Sequence, residues 1–170
     1  MIKDGLFERF PFDAIFGLHN HPGAPEGTWL IRSGPLMAAA DTAEITITGK
    51  GGHASRPHLT IDPVVVACNL VVSLQSVVSR SIDPTQTAVV TVGSIHAGEA
   101  SNVIPESARM LLSIRSFDPK IRELLEARIR KLAQSVAEGY GASVEVDYAH
   151  GHPVVVNSEK ETEFARMVAE

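Results

Sequence analysis

Four side chains in this sequence have the types and settings that metal binding or amide chemistry would use. They are His19, His53, Asn102 and Arg115. A neutral imidazole can bind a divalent metal ion or donate a hydrogen bond to a developing oxyanion. An amide and a guanidinium can each donate hydrogen bonds to a carboxylate. Whether such chemistry can occur depends on the elements that hold these four side chains.

His19 lies in the stretch GLHNHPGAPEG, directly after an apolar run at residues 13–18. This run is typical of a strand that is buried on both faces of a parallel sheet. We therefore expect His19 at the carboxyl end of that strand, where the active sites of open α/β sheets collect. A metal site takes three or four protein ligands, and His21 is the one nearby candidate. His19 is therefore either one ligand of a larger site or an exposed loop residue, and His21 is expected to be exposed.

His53 lies in a glycine-rich segment, GKGGHASRPH. The segment lacks the spacing of a phosphate-binding loop, so its lysine and glycines are a weak nucleotide signal. The glycines indicate a bend that presents His53, which could then stabilise an oxyanion. The alternative is a loop histidine with no role.

Asn102 lies in the turn GEASNVIP, and Arg115 follows thirteen residues later on a predicted strand. The Asn102 amide and the Arg115 guanidinium could both hold a carboxylate. The alternative for Arg115 is a surface ion pair with Glu44 or Glu145. The remaining histidines in this half of the chain, His96, His150 and His152, are expected at the surface.

The elements that position these residues can be predicted from periodicity and from helix-start signals. Alternating or valine-rich segments predict strands at residues 43–50, 87–95, 108–117 and 144–148. Asp62-Pro63 and Asp118-Pro119 predict two helices, the first continuing to about Val78 and the second ending at Gly139 and Gly141. The resulting order, strand, helix, strand, strand, helix, strand, is the split βαβ pattern of ferredoxin-like domains. We expect an α+β domain: a four-stranded antiparallel sheet with two helices on one face.

The pattern also assigns residues to faces. We expect Glu44, Thr46, Thr48, Ser113, Arg115, Glu145 and Asp147 on the open face of the sheet, and Arg122, Glu123, Glu126, Arg130 and Lys131 on a solvent-facing flank of the second helix. The first helix is apolar almost all round. One side of this helix can face the sheet through Val64, Ala67, Cys68, Val71, Leu74 and Val78. Cys68 is then expected to be a buried small hydrophobe. Four further apolar residues do not fit on that side: Val65, Leu70, Val72 and Val77. A helix that is apolar on every side has a second covered surface, so we expect a subunit interface there, or contact with the flanking segments.

Composition limits the function classes. With 170 residues, 44% of them hydrophobic and 21% charged, the chain has the profile of a globular protein. A net charge of −5 argues against nucleic acid as a partner. No apolar run of about 20 residues and no basic, apolar leader occur, so we expect a cytoplasmic protein with no membrane partner. The apolar run at residues 13–18 and a capping box at Ser158 and Glu161 indicate that the two ends belong to a second, α/β domain. The expected division is therefore 1–40, 41–150 and 151–170.

Several motifs in order resemble the M20 amidohydrolases of the hippurate hydrolase and indole-acetyl-amino-acid hydrolase type. They are DAIFGLHNHPGAPEGTWLIRSGPLMAAAD, ITGKGGHASRPHLTIDPVVVA, LQSVVSR and NVIPESARMLLSIRSF. The resemblance implies a metal-dependent enzyme that cleaves the amide bond of N-acyl amino acids. It also implies two divalent metal ions per active site (zinc, manganese, cobalt or nickel), a homodimer, and a lid, or dimerisation, domain inserted in the catalytic domain.

The resemblance implies roles for the four side chains. His19 matches a metal ligand, and His53 matches the lid histidine that stabilises the oxyanion, reaching the partner's active site in dimeric relatives. Asn102 and Arg115 match lid residues that bind the substrate's carboxylate. In the implied mechanism, water activated by the metal ions attacks the amide carbonyl and a glutamate transfers the proton.

Other motifs of the family have no counterpart in this sequence: the Cys-x-His ligands, the glutamate pair and the C-terminal histidine. We therefore expect the chain to be a fragment that is inactive by itself and holds no metal alone. The alternative is a stand-alone βαββαβ module that dimerises or binds amino acids without catalysis.

Overall fold

The computed structural model describes residues 2–169, which form two compact units. One unit is Met37–Val155, and the other consists of the residues up to Leu36 and from Val156 onward. In chain order the helices are α1 (Leu6–Arg9), α2 (Pro63–Ser81), α3 (Pro119–Gly139) and α4 (Glu159–Ala169), with short 3-10 helices at Ile2–Asp4 and Pro57–Leu59. The strands are β1 (Gly34–Met37), β2 (Ala39–Thr48), β3 (Gly52–His53), β4 (Ala88–Ala97), β5 (Val103–Ile104), β6 (Ser107–Ser116), β7 (Ser143–His150) and β8 (Val155–Asn157).

The central unit is built on a four-stranded sheet in the order β4-β6-β2-β7, in which every neighbouring pair is antiparallel. Strands β2, β4, β6 and β7, with α2 following β2 and α3 following β6, give the βαββαβ order. The predicted α+β, ferredoxin-like fold is confirmed. The core between the sheet and the two helices includes Ile45, Ile47, Leu70, Leu74, Met110, Ile114, Leu125 and Ile129, all fully buried.

Both central helices begin where the sequence signals predict, and α3 also ends there, whereas α2 continues to Ser81, three residues beyond Val78. The carboxylate of Asp62 accepts a hydrogen bond from the Val64 main-chain N–H at 2.9 Å, and Asp118 accepts one from Lys120 at 2.7 Å. After α3, Gly141 has a φ of +74°. This left-handed residue terminates the helix, which explains why a glycine is required there.

The buried side of α2 differs from the predicted one. Leu70 and Val77 are buried, whereas Cys68 is exposed. The helix packs through residues 63, 66, 67, 70, 74 and 77, a regular stripe with three- and four-residue spacing. Because α2 is apolar on nearly all sides, periodicity alone does not determine which stripe meets the sheet. The prediction of a buried Cys68 was wrong, and Val65 and Val72 remain exposed.

Helix α2 is long and apolar enough to cross a membrane by length and composition alone. Five of the six buried residues of its stripe, however, belong to the core beside the sheet. A core helix of a globular domain passes the same length and composition test, so the feature does not indicate a membrane span.

Asp41, at the start of β2, lies in a buried polar cluster that periodicity does not reveal. Its carboxylate, 2% exposed, forms a bidentate ion pair with Arg122 of α3, with 2.8 Å between Arg122 Nε and Asp41 Oδ2. The Gly151 main-chain N–H donates to it at 3.0 Å and the Tyr148 hydroxyl at 3.2 Å. Burial by itself raises the pKa of Asp41, but these donors outweigh burial and hold the pKa below its ordinary value. Burial, together with the Asp41 charge, also raises the pKa of Tyr148.

The cluster continues along α3 through Glu126. His150 Nε2 lies 2.8 Å from a Glu126 carboxylate oxygen, and Arg130 Nε donates to the other oxygen at 2.9 Å. Arg130 also donates to the Val146 carbonyl at 2.7 Å. The flank that was predicted to face water therefore holds α3 against β2 through Arg122 and against β7 through Glu126 and Arg130, although both arginines and Glu126 retain some exposure.

Strands β1 and β8 form a two-stranded sheet, and the flanking unit contains all of their residues except Met37 and Val155, together with α4. Helix α4 begins at the predicted capping box, where the Ser158 hydroxyl donates to the Glu161 carboxylate. The predicted buried strand at residues 13–18 is not formed: Ile15 is 75% exposed and Leu18 86%. A strand buried on both faces has neighbours on both sides, and none of the described strands pairs with this segment. The expectation that His19 follows a buried strand was therefore wrong for this chain.

We predict that Asp41→Asn lowers the free energy of unfolding at neutral pH by about 3 kcal/mol, because it leaves Arg122 without its buried counter-charge. Since the pKa of Asp41 is lowered by folding from 3.8, its stabilisation is complete above that value and is lost as the pH falls through the lowered pKa. The difference in the free energy of unfolding between wild type and Asp41→Asn should therefore become smaller in acid. Urea unfolding followed by circular dichroism at several pH values measures both effects.

Glu44→Gln is the matched control. Glu44 lies on the same strand and also forms a bidentate pair with an arginine, Arg109, but that pair is exposed. Exposed pairs contribute little, so this variant should unfold almost as the wild type does. Equal stability of Asp41→Asn and Glu44→Gln would contradict the assigned role of the cluster.

Candidate functional site

The segment after β2 forms a braced loop that carries His53. The Gly49 main-chain N–H donates to the Glu106 carbonyl at 2.9 Å. Lys50 and Ile61 then exchange two main-chain hydrogen bonds, of 2.8 and 3.0 Å, which close the base of the loop. His53 is exposed above this base. The loop is therefore held by main-chain pairing on both sides.

The structure brings His53 and Asn102 together. Strands β3 and β5 pair so that His53 lies opposite Val103, and the Ala54 main-chain N–H donates to the Asn102 carbonyl at 3.0 Å. Both His53 and Asn102 are exposed. His53 and Asn102 thus lie on neighbouring, paired segments of main chain at one end of the sheet.

Glycines permit this loop because of close backbone packing. A Cβ on Gly49 would lie 2.1 Å from the Ile61 carbonyl oxygen, and a Cβ on Gly51 would lie 2.9 Å from the Ile104 carbonyl oxygen. Neither glycine has a positive φ. The predicted bend is present, but the physical reason is the approach of neighbouring main chain and not a left-handed conformation.

The His53 ring is held by a residue that the sequence analysis did not single out. Ser55 donates its main-chain N–H to His53 Nδ1 at 3.2 Å, and its Oγ lies 2.9 Å from the same nitrogen. The two-residue spacing of His53 and Ser55 was the sequence signal for this contact. Serine hydroxyls and main-chain N–H groups often bond to a polar side chain two positions away.

Arg115 lies on the open face but forms neither of the ion pairs considered for it. Glu44 forms its ion pair with Arg109 instead. The Arg115 guanidinium donates to the Ile114 carbonyl at 2.9 Å. In register, Arg115 lies between Ala40 of β2 and Val89 of β4. Its guanidinium therefore retains donors for a further acceptor.

Arg115 and Asn102 lie at opposite ends of the central sheet. Arg115 pairs with the first residues of β2 and β4, whereas Asn102 and His53 belong to loops that follow the last residues of those strands. Arg115 follows Ser107 by eight positions along β6, which is about 25 Å of extended chain. Within one chain, Arg115 and Asn102 therefore cannot hold the same carboxylate.

His19 and His21 are exposed in the flanking unit. His19 Nδ1 lies 2.6 Å from the Asn20 carbonyl oxygen. Across residues 2–169, no group of three or more His, Cys, Asp or Glu side chains could hold a metal ion. The residues present therefore do not form a complete metal site, and His19 as a ligand stays a prediction.

Comparison with known proteins places this fold in a family. The family model described as the peptidase dimerisation domain of M20 enzymes matches residues 39–141. Hippurate hydrolase of Campylobacter jejuni is 38% identical over 99% of the chain, and N-acetylcysteine deacetylase of Bacillus subtilis is 44% identical over 85% of it. The chain therefore belongs to the M20 peptidase family and contains its dimerisation domain.

A solved structure agrees with this assignment. The Bacillus subtilis protein YXEP, described as a dinuclear metal binding peptidase of the M20 family, superposes with a TM-score of 0.71 at 33% identity, covering 99% of this chain. The chain spans 41% of that protein, and 44% and 38% of the two curated relatives.

We predict that Gly49→Ala destabilises the His53 loop, because the new Cβ would overlap the Ile61 carbonyl. The expected loss in the free energy of unfolding is about 2 kcal/mol, with shifted amide resonances from Lys50 to Ala54. Gly139→Ala is the control: it lies at the end of α3 with no atom within 4 Å of the added Cβ. It should leave stability unchanged or slightly raised, and an equally mild effect of Gly49→Ala would refute the close packing at the loop base.

Proposed function

We propose that this chain is the lid and dimerisation region of a metal-dependent amidohydrolase that cleaves the amide bond of N-acyl amino acids. The observation that carries the proposal is the braced loop, which exposes His53 on a segment whose main chain pairs with the segment of the exposed Asn102. Family membership supports it, because relatives are named as a hippurate hydrolase and an N-acetylcysteine deacetylase.

In the proposed reaction, His53 donates a hydrogen bond to the oxygen of the scissile carbonyl, where negative charge develops as water attacks. A donor positioned for that charge lowers the barrier more than it stabilises the substrate. Asn102 and Arg115 would donate to the carboxylate of the amino-acid part. Arg115 suits this role because its guanidinium is not engaged by any carboxylate among the described residues.

The proposed enzyme binds divalent metal ions, to which His19 would contribute one imidazole ligand. The support is the solved M20 relative described as dinuclear metal binding. Further ligands would come from residues that this chain does not include. The metal ions, when bound, would supply the activation of the attacking water.

We propose further that the molecule is a homodimer formed through α2 and the edge of β4. Helix α2 leaves Val65 and Val72 exposed, and β4 is an outer strand whose Val89 and Ile95 are also exposed. On the other outer strand, β7, Arg130 covers the Val146 carbonyl. An uncovered outer strand beside an apolar helix face is suited to pairing with a second copy.

A dimer also resolves the distance between Arg115 and Asn102. Since about 25 Å of β6 separates their ends of the sheet, a carboxylate held by both would lie between Arg115 of one protomer and Asn102 of the other. His53, which neighbours Asn102, would then act in the active site of the partner. The proposed site is therefore composite.

We predict that Val72→Asp converts the dimer to a monomer, because Val72 is 72% exposed in the single chain and a carboxylate there would be buried without a partner in the interface. Sedimentation velocity over a concentration series measures the change. Ser135→Asp, which adds the same charge at an exposed position of α3, should leave the dimer intact. A wild-type protein that is monomeric throughout the series would contradict the proposed interface.

The composite site predicts complementation in the complete enzyme. His19→Ala and His53→Ala should each lower kcat on an N-acyl amino acid, the latter by about 10²- to 10³-fold. Mixed after reversible dissociation, they should recover about a quarter of wild-type activity, because half of the randomly formed dimers contain one intact composite site.

A Lys131→Ala variant is the control for the single substitutions, since Lys131 is exposed on α3, which carries none of the residues proposed for the site or the interface. If His19→Ala and His53→Ala both kept wild-type activity, this would contradict the catalytic roles of the two histidines. It would favour the alternative of a βαββαβ module without catalysis. Two inactive variants that do not recover on mixing would show instead that His53 acts within its own chain.

A further inference from the structure

The hydrogen bonds of His53 determine which of its ring nitrogens carries a proton. The main-chain N–H of Ser55 points at Nδ1 over 3.2 Å. A main-chain N–H can only donate, so Nδ1 accepts and has no hydrogen of its own. In the neutral ring, the proton is then on Nε2.

The Ser55 hydroxyl reinforces this arrangement. Its Oγ lies 2.9 Å from Nδ1, at normal hydrogen-bond distance, and with Nδ1 as acceptor the hydroxyl is the donor. Two donors from one residue therefore converge on one nitrogen. They fix the rotation of the imidazole as well as its tautomer, because a ring turned over would face the N–H of Ser55 with a carbon.

The ring is held by a local unit. Arg56 N–H donates to the His53 carbonyl at 2.8 Å, which closes a turn over residues 53–56. The same turn follows β3, whose pairing with β5 fixes the main chain of His53. Nε2 has no hydrogen-bond partner among the described residues, so its N–H is available to a ligand outside this chain.

We infer that Ser55 is a positioning residue that holds His53 as a neutral, outward-pointing Nε2–H donor. The inference rests on the proposed function, in which His53 stabilises the oxyanion. For that role the ring is required to donate, and a donor fixed before substrate arrives needs no reorganisation during the reaction. The tautomer follows from contacts within the chain and can be tested without any activity.

The test of the tautomer is long-range ¹H–¹⁵N NMR of the labelled chain, at a pH high enough that all histidine rings are neutral. His53 should show an unprotonated Nδ1 and a protonated Nε2 as a single tautomer. His58, exposed on the same loop with no ring hydrogen bond among the described residues, is the internal control and should show a mixture. A mixture at His53 like that of His58 would overturn the inference.

Substitutions test the contribution of the hydroxyl. Ser55→Ala keeps the main-chain donor but removes Oγ, so His53 should move toward the tautomer mixture of His58. In the complete enzyme, kcat should fall about five- to tenfold with KM little changed, because one hydrogen bond that orients the donor is lost. Ser55→Thr, which retains the hydroxyl, should restore both the NMR signature and kcat.

The NMR tautomer and the kinetic constants test the role of Ser55 and the role of His53 separately. Unchanged kcat and an unchanged tautomer in Ser55→Ala would overturn the role of the Ser55 hydroxyl. A single Nε2–H tautomer together with full activity of His53→Ala would leave the inference standing and refute the catalytic role of His53.

Discussion

The antiparallel pairing of β2 with β6 is the constraint on which the rest of the central unit depends. It runs without interruption from Ala39 opposite Ser116 to Thr48 opposite Ser107, and β7 pairs with the other side of β2 from Asp41 onward. A strand bonded on both sides over this length has little freedom to bend. The Asp41 cluster at one end and the His53 loop at the other are therefore held at a fixed separation. The same pairing places Arg115 far from Asn102.

The parts of the fold that could be predicted depend on residues close together in sequence. Asp62 and Asp118 cap their helices through main-chain groups two residues away, and Ser158 bonds with Glu161 three residues on. The alternation in β2 and β6 reports the burial of one face, because successive side chains of a strand point to opposite sides. These local rules specify the order and the antiparallel sheet, since few topologies accommodate that order.

The parts that could not be predicted depend on distant residues. Asp41 meets Arg122, Tyr148 and Gly151, which lie 81, 107 and 110 residues away, and no local pattern links such positions. The choice of Arg109 over Arg115 as the partner of Glu44 follows from register, because Glu44 lies opposite Leu111, two residues from Arg109 and four from Arg115. In the candidate site, His53 and Asn102 are neighbours only because β3 pairs with β5, which the sequence pattern does not predict. Sequence patterns supplied the residue types but not these neighbours.

A contrast between two of the histidines of the central unit, His150 and His53, explains why a local contact orients the proposed donor. His150 is held by Glu126 across the gap between β7 and α3. A side chain that acts in the site of another subunit has to be exposed in its own chain, so packing against distant residues cannot fix its orientation. A hydrogen bond from a residue two positions away moves with the loop and remains intact when the loop enters a site. Ser55 satisfies this condition for His53, and the glycine-dependent main-chain pairing below it keeps the loop itself in place.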